Sequence, residues 1–136
     1  FSGMEALRCT DNINILGKEN VLPLLKDLAT LDSMLVLIEL LGSVFEIKPR
    51  IPDGEQGHGY YNFKLMDPAG ISGHMNINQM SHVAVVKEEF HGRVSRNWWV
   101  LHENGELIFK VYPGRDEKQE VKVKHIDMFD KWMSRK

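Results

Sequence analysis

Hydrophobic positions follow two different periods along this chain. Between 19 and 31, Val21, Leu24, Leu25 and Leu28 recur at i, i+3, i+4 and i+7, which predicts a short amphipathic helix. Pro23 is tolerated because the first helical turn leaves its N–H positions unpaired in any case. Asp32 and Ser33 end that helix. Residues 34–41 and 44–48 then read as strands, separated by a turn or bulge at Gly42-Ser43. Residues 49–57 hold two Pro and two Gly and read as a loop.

From 57 onward the period is two. Residues 57–65 place Tyr61, Phe63 and Leu65 on one face, with His58, Tyr60, Asn62 and Lys64 on the other. A turn is expected at 67–70, after which Ile71, Gly73 and Met75 alternate with Ser72, His74 and Asn76. Residues 81–88 are apolar on both faces, as a central strand would be. Asn104-Gly105 predicts a two-residue type I′ hairpin turn, which needs φ > 0 at both positions. That register pairs Glu103 with Glu106 and puts Trp98, Val100 and His102 on the face of Leu107, Phe109 and Val111. Pro113-Gly114 closes the sheet. Asp116 is the expected cap of a last helix, which carries Val121, His125, Met128, Phe129, Trp132 and Met133 on one face. Helix, strands, helix is an α+β order, an antiparallel meander flanked by two helices.

At 136 residues the chain is expected to be one domain, 4–136, with residues 1–3 set aside as a cloning scar. Seventeen basic against nineteen acidic residues give a net charge of −2, so there is no general field for a polyanion and nucleic acid is not expected as a partner. Cys9 is alone, which rules out an intrachain disulfide and points to a reducing compartment. The longest apolar run, 34–41, contains Glu39 and is too short to span a bilayer, so no membrane insertion is expected.

Candidate chemistry lies in the histidines. Five of the six fall between 58 and 102, on strands beside Met, Phe, Tyr and Trp. Imidazoles in that setting suit a metal or a flat iron-bearing cofactor. Zincin, phosphate-loop and dinucleotide motifs are absent.

His58-Gly59-Tyr60-Tyr61-Asn62, Ile71-Ser72-Gly73-His74, Ser81-His82-Val83-Ala84 and Tyr112-Pro113-Gly114-Arg115-Asp116 stand in a fixed order. With them the chain resembles the HutX/ChuX family of intracellular haem-utilisation proteins, from about 14 to about 132. The resemblance implies a cytoplasmic, usually homodimeric protein that binds haem and hands it to a partner. It also implies an α+β subunit resembling one half of the HemS/ChuS-type haem proteins. The chain departs from the family in two ways. An N-terminal helical segment is missing or truncated, and Glu39 stands where some members have a histidine proposed to contact haem. A carboxylate is a poor axial ligand beside imidazole or tyrosinate, so that role is not carried over.

The resemblance makes His91 and His74 the candidate iron ligands. His91 follows Phe90, where some relatives place a ligand-capable tyrosine, and Phe90 could stack on the macrocycle. His74 sits on the polar parity of its strand, beside Gly73. Each could instead be a surface histidine bonded to a neighbour. His102 could line the pocket; His58, His82 and His125 read as structural. Arg93, Arg96 and Arg115 are candidates for the propionates, since guanidinium pairs bidentately with carboxylate. Arg115 could equally pair with Asp116. Trp98 and Trp99 point to opposite faces, one for the core and one for an interface. The expected function is reversible haem binding and delivery to a haem-accepting or haem-degrading partner. A haem-degrading enzyme, or a non-haem metal protein using His58, His74 and His82, remains an alternative.

Overall fold

The computed structural model describes residues 3–4, 12–64 and 70–136. Cys9, Leu65 and most of the turn expected at 67–70 lie outside the described residues. The elements run β1 (Ile13–Gly17), α1 (Val21–Leu28), β2 (Leu35–Leu40), β3 (Ser43–Ile47), β4 (Gly54–Gly57), β5 (Tyr60–Phe63), β6 (His74–Met75), β7 (Met80–Phe90), β8 (Arg93–His102), β9 (Leu107–Tyr112) and α2 (Val123–Met133). Six strands form an antiparallel sheet in the order β1-β7-β8-β9-β2-β3, and β4-β5-β6 form a second. Among the described residues no helix is long and apolar enough to cross a membrane.

The hydrophobic pattern explains the layering. Val21, Leu24, Leu25 and Leu28 of α1 are buried, as the helical spacing predicts. Each such side chain contributes roughly 1.5–3 kcal/mol. They join Val83 and Val85 of β7, Trp98 and Val100 of β8, Phe109 and Val111 of β9, and Phe129 and Trp132 of α2 in one core. Tyr61 brings the small sheet onto that core. The other face of the large sheet holds a smaller cluster of Ala84, Val86, Trp99 and Leu101. Asn14 of β1 donates to the carbonyls of Trp132, Met133 and Arg135 at 3.1, 3.1 and 2.7 Å, tying the first strand to the end of α2.

Several expectations need correction. β1 and β4 lie where no strand is predicted: β1 offers only a short alternation of Ile13 and Ile15 about Asn14, and β4 reads Gly-Glu-Gln-Gly. The strand expected at 57–65 is broken by a turn at His58-Gly59, with His58 at φ 55°, and β5 pairs back on β4. The strand expected at 71–77 shortens to His74–Met75. At the Asn104-Gly105 turn only Gly105 has positive φ, at 89°. Gly105 N–H donates to His102 C=O at 2.9 Å, and Glu106 N–H donates to Asn104 Oδ1 at 2.9 Å. This is a type I turn closed by a left-handed glycine; the expected register holds for Trp98, Trp99 and Val100, and the ladder shifts by one residue between Val100 and Leu101, so that Leu101 and not His102 faces Leu107. Asp116 does not cap α2; its carboxylate accepts from the N–H of Lys118 and Glu120 in the preceding turn. Trp99 is not free for an interface. It is buried, with its indole N–H donating to Asn97 and the Lys110 ammonium 4.2 Å above its ring.

Candidate ligand-binding cleft

Beyond the last rung of the ladder between β2 and β9, at Leu35 and Tyr112, these two segments and the β7–β8 hairpin enclose a cleft of about 520 Å³. The longer β7–β8 hairpin continues past that point, so its outer rungs form the remaining wall. Phe90, Arg93, Val94, Ser95 and Arg96 line the cleft from the hairpin. Ser33, Met34 and Leu35 line it from the start of β2, and Tyr112 to Arg115 from the end of β9. Lys48, just past β3, completes a set of four cations with Arg93, Arg96 and Arg115, and no described carboxylate stands among the lining residues. In a chain of net charge −2, that lining favours an anion, although Glu88, Glu39 and Glu46 act on Tyr112 from outside it.

Arg96 sharpens this reading. Its Nε–H is buried and has no hydrogen-bond partner among the described residues. A buried donor left unmatched is rare and costs free energy, so a group that accepts from it is favoured in the cleft. The Arg115 guanidinium turns to the Gln119 carbonyl, to which its Nη1 donates at 2.7 Å. Tyr112 presents a phenol. Burial pushes its pKa up, and the charges of Glu88, Glu39 and Glu46 push it further. At neutral pH it is therefore a neutral hydrogen-bond donor.

The predicted residues divide into those the structure gathers and those it does not. Phe90, Arg93, Arg96 and Arg115 all line the one cleft. His91 is not among the lining residues; it adjoins Phe90 in the turn of the hairpin at φ 51°, exposed, with its ring edge-on to Phe90 at 4.2 Å. His102 stands at the other end of β8 from Arg93, roughly 30 Å away at about 3.3 Å per residue. Its Nδ1 accepts from Asn104 N–H at 3.0 Å, which leaves Nε2–H to donate to Gln79 at 3.3 Å. Both of its nitrogens are occupied, and it lines none of this cleft.

His74 is on the solvent side of the small sheet, paired with Asn62 and edge-on to Tyr60 at 6.1 Å. Asn62 turns its NH₂ to the carbonyls of Glu55 and Gly57, at 3.2 and 3.1 Å, so its Oδ1 must accept. The proton in the 2.5 Å contact with His74 is then on the imidazole Nδ1. That leaves Nε2 unprotonated, the arrangement a metal-ligating histidine needs. His74 does not line the cleft.

Sequence reasoning missed Tyr112 and Lys48. Tyr112 adjoins the Pro113-Gly114-Arg115 motif, and that adjacency was the available signal. Lys48 gave none, since only the β2–β3 hairpin brings it near Arg93. Among the described residues, no three of His, Cys, Asp and Glu gather as a metal site, which removes the reading built on His58, His74 and His82.

Comparison with known proteins gives the same frame. The family profile described as Haem utilisation ChuX/HutX matches residues 15–131. The intracellular heme transport protein HutX of Vibrio cholerae is 38% identical over 93 residues, 68% of this chain and 48% of that protein. The match thus spans about half the length of that relative. The crystallographic fold of the heme-binding protein ChuX superposes with a TM-score of 0.86 at 18% identity, over 96% of this chain and 81% of that one. Holo-PhuS, a heme-binding protein from Pseudomonas aeruginosa, gives 0.70 at 13% identity, over 87% of this chain and 34% of the longer one. These two structures are alike in fold. The profile, the sequence identity and the ordered motifs together establish that the chain belongs to the ChuX/HutX haem-utilisation family.

Proposed function

We propose that this protein is a cytoplasmic haem carrier, which takes haem into the cleft and releases it to a haem-accepting or haem-degrading partner. The observation that carries this reading is the lining: four cations, no described carboxylate, an unmatched Arg96 N–H, and the rings of Phe90 and Tyr112. Haem is a flat apolar disc with two carboxylates on one edge. Arg93, Arg96 and Arg115 suit the carboxylates, and Phe90 suits the disc. His91, exposed in the turn beside Phe90, is the proposed axial ligand. His74, whose Nε2 is left unprotonated, is the second candidate, at a place outside this cleft. Ligation at an exposed residue holds haem while leaving it within reach of a partner.

The carrier is further proposed to be a homodimer. All five residues of β3 are exposed, among them Val44, Phe45 and Ile47, and among the described residues nothing pairs with its outer edge. Such an edge favours covering by a second chain.

Haemin titration tests the carrier reading. A saturable, red-shifted Soret band at one haem per chain is expected. Spectra that remain those of free haemin at micromolar protein would refute it.

A further inference from the structure

His125 is buried, with 1% of its surface exposed, and it bonds to Gly114 in one wall of the cleft and to Asp32, the residue before the other wall. Its Nδ1 accepts from the N–H of Gly114 at 2.8 Å. Nε2 must then carry the proton, and it donates to Asp32 at 2.5 Å. Asp32 immediately precedes the wall formed by Ser33, Met34 and Leu35. Gly114 lies in the wall formed by Tyr112 to Arg115.

The rest of the local geometry explains why a clasp is needed there. The β2–β9 ladder stops at Leu35 and Tyr112, and the next residue, Pro113, has no N–H to extend it. One position further on, Gly114 approaches the other wall so closely that a Cβ would collide with the Ser33 carbonyl and come within 3.1 Å of the His125 ring. The Gly114 carbonyl accepts from the N–H of Lys122 at 3.0 Å, at the start of α2. The Lys122 ammonium binds the second oxygen of Asp32 at 2.8 Å. Both polar groups of the Gly114 peptide are therefore held by the beginning of α2, and Arg115 projects from the next residue.

We propose that His125 is a positioning residue for the ligand site, clasping the two walls so that Arg115 is held at its place in the cleft. The idea rests on the haem-carrier reading for the identity of its ligand. It assigns the Gly114 half of the clasp to ligand affinity and the Asp32 half to the tautomer that lets Nδ1 accept.

Two near-isosteres separate these halves. An Asn amide oxygen falls near the place of Nδ1 and can accept from Gly114, whereas a Gln amide falls near Nε2 and reaches only Asp32. Haemin affinity of His125→Asn is expected within about twofold of wild type, and that of His125→Gln about tenfold weaker, the size of one hydrogen bond. In an Arg115→Ala background the further loss from His125→Gln should vanish, because the clasp acts through Arg115. A purely structural role would leave that loss in place. Wild-type affinity in His125→Gln, or a loss undiminished by Arg115→Ala, overturns the proposal.

Hydrogen exchange of residues 112–121 without ligand decides the clasp independently. Exchange should be faster in His125→Gln and unchanged in His125→Asn, and equal rates in both variants overturn it. If wild-type protein binds no haemin, the carrier reading fails while this exchange result still decides the clasp.

Discussion

Phe90 and Arg93 stand opposite each other on the last rung of the β7–β8 ladder, with only His91 and Gly92 between them in the chain. Paired residues share a sheet face, so the ring and the guanidinium present themselves together. A ligand that stacks on Phe90 meets Arg93 at once, and His91 is the imidazole nearest to both in sequence.

That arrangement makes the iron ligand testable. Replacing His91 by Ala should change the ferric spin state or Soret position of the haem complex, because a nitrogen ligand is lost. His74→Ala should give a smaller change, and Glu39→Ala none. Unaltered spectra in both histidine variants would remove both assignments and leave a cleft that binds haem through its carboxylates and faces.

The cationic lining gives a separate expectation. Arg96→Ala and Arg115→Ala should each weaken haemin binding about tenfold or more, the scale of a hydrogen bond to a charged group. Neither should shift the Soret maximum, since neither touches iron. Tyr112→Phe should lower affinity less, through loss of a single neutral donor. Titration of each variant against haemin and its dimethyl ester checks the argument, for the ester should be insensitive to the arginines.

The sheet edge supplies a third expectation. Light scattering at micromolar concentration should give about twice the 15.7 kDa chain mass. Phe45→Lys, which places a charge on exposed β3, should reduce it to the chain mass with little change in folding. A wild-type monomer that binds haem stoichiometrically would end the dimer reading alone.

Acid stability should depend on Asp53. Its carboxylate is bound by Lys26 at 2.8 Å, by Gly54 N–H at 2.8 Å and by Lys64 at 3.2 Å. These contacts, the Lys26 bond first, hold its pKa well below the usual carboxylate range. A depressed folded-state pKa stabilises above the unfolded value, near about 4, and that contribution is lost as pH falls toward the folded value. Because Asp53 is 42% exposed, salt should screen much of the effect. Denaturation midpoints below about pH 4 should fall more steeply for wild type than for Asp53→Asn.

The sequence made the long periodic elements legible. The four buried positions of α1, the two-sided apolar run of β7 and the pairing of Trp98, Trp99 and Val100 with Val111, Lys110 and Phe109 all follow from spacing. β4 was invisible because its pairing, not its composition, makes it a strand, and β1 offered only the brief alternation of Ile13 and Ile15 about Asn14. The cleft was half legible. Phe90, Arg93, Arg96 and Arg115 were identifiable as residue types with a chemical task, but their convergence depends on a ladder between distant segments. His125 read as packing because a helical wheel shows burial and does not show that both ring nitrogens are engaged.

The order of strands also bears on how the molecule assembles. β7, β8 and β9 are joined by short turns, and so are β2 and β3, whereas the β2–β9 ladder joins segments separated by more than half the chain. Closing such a loop costs entropy before any contact offsets it, so local hairpins are favoured to form first. The cleft opens where that distant ladder ends, and it therefore exists only once the whole topology is complete. Truncations at Leu35 or Val111 should mainly speed unfolding, while those at Val85 or Val100 should slow folding, as stopped-flow measurements would show. Ligand binding on this fold is thus a late event on the folding coordinate: partly folded chains, which expose the same arginines, lack the site that would trap haem.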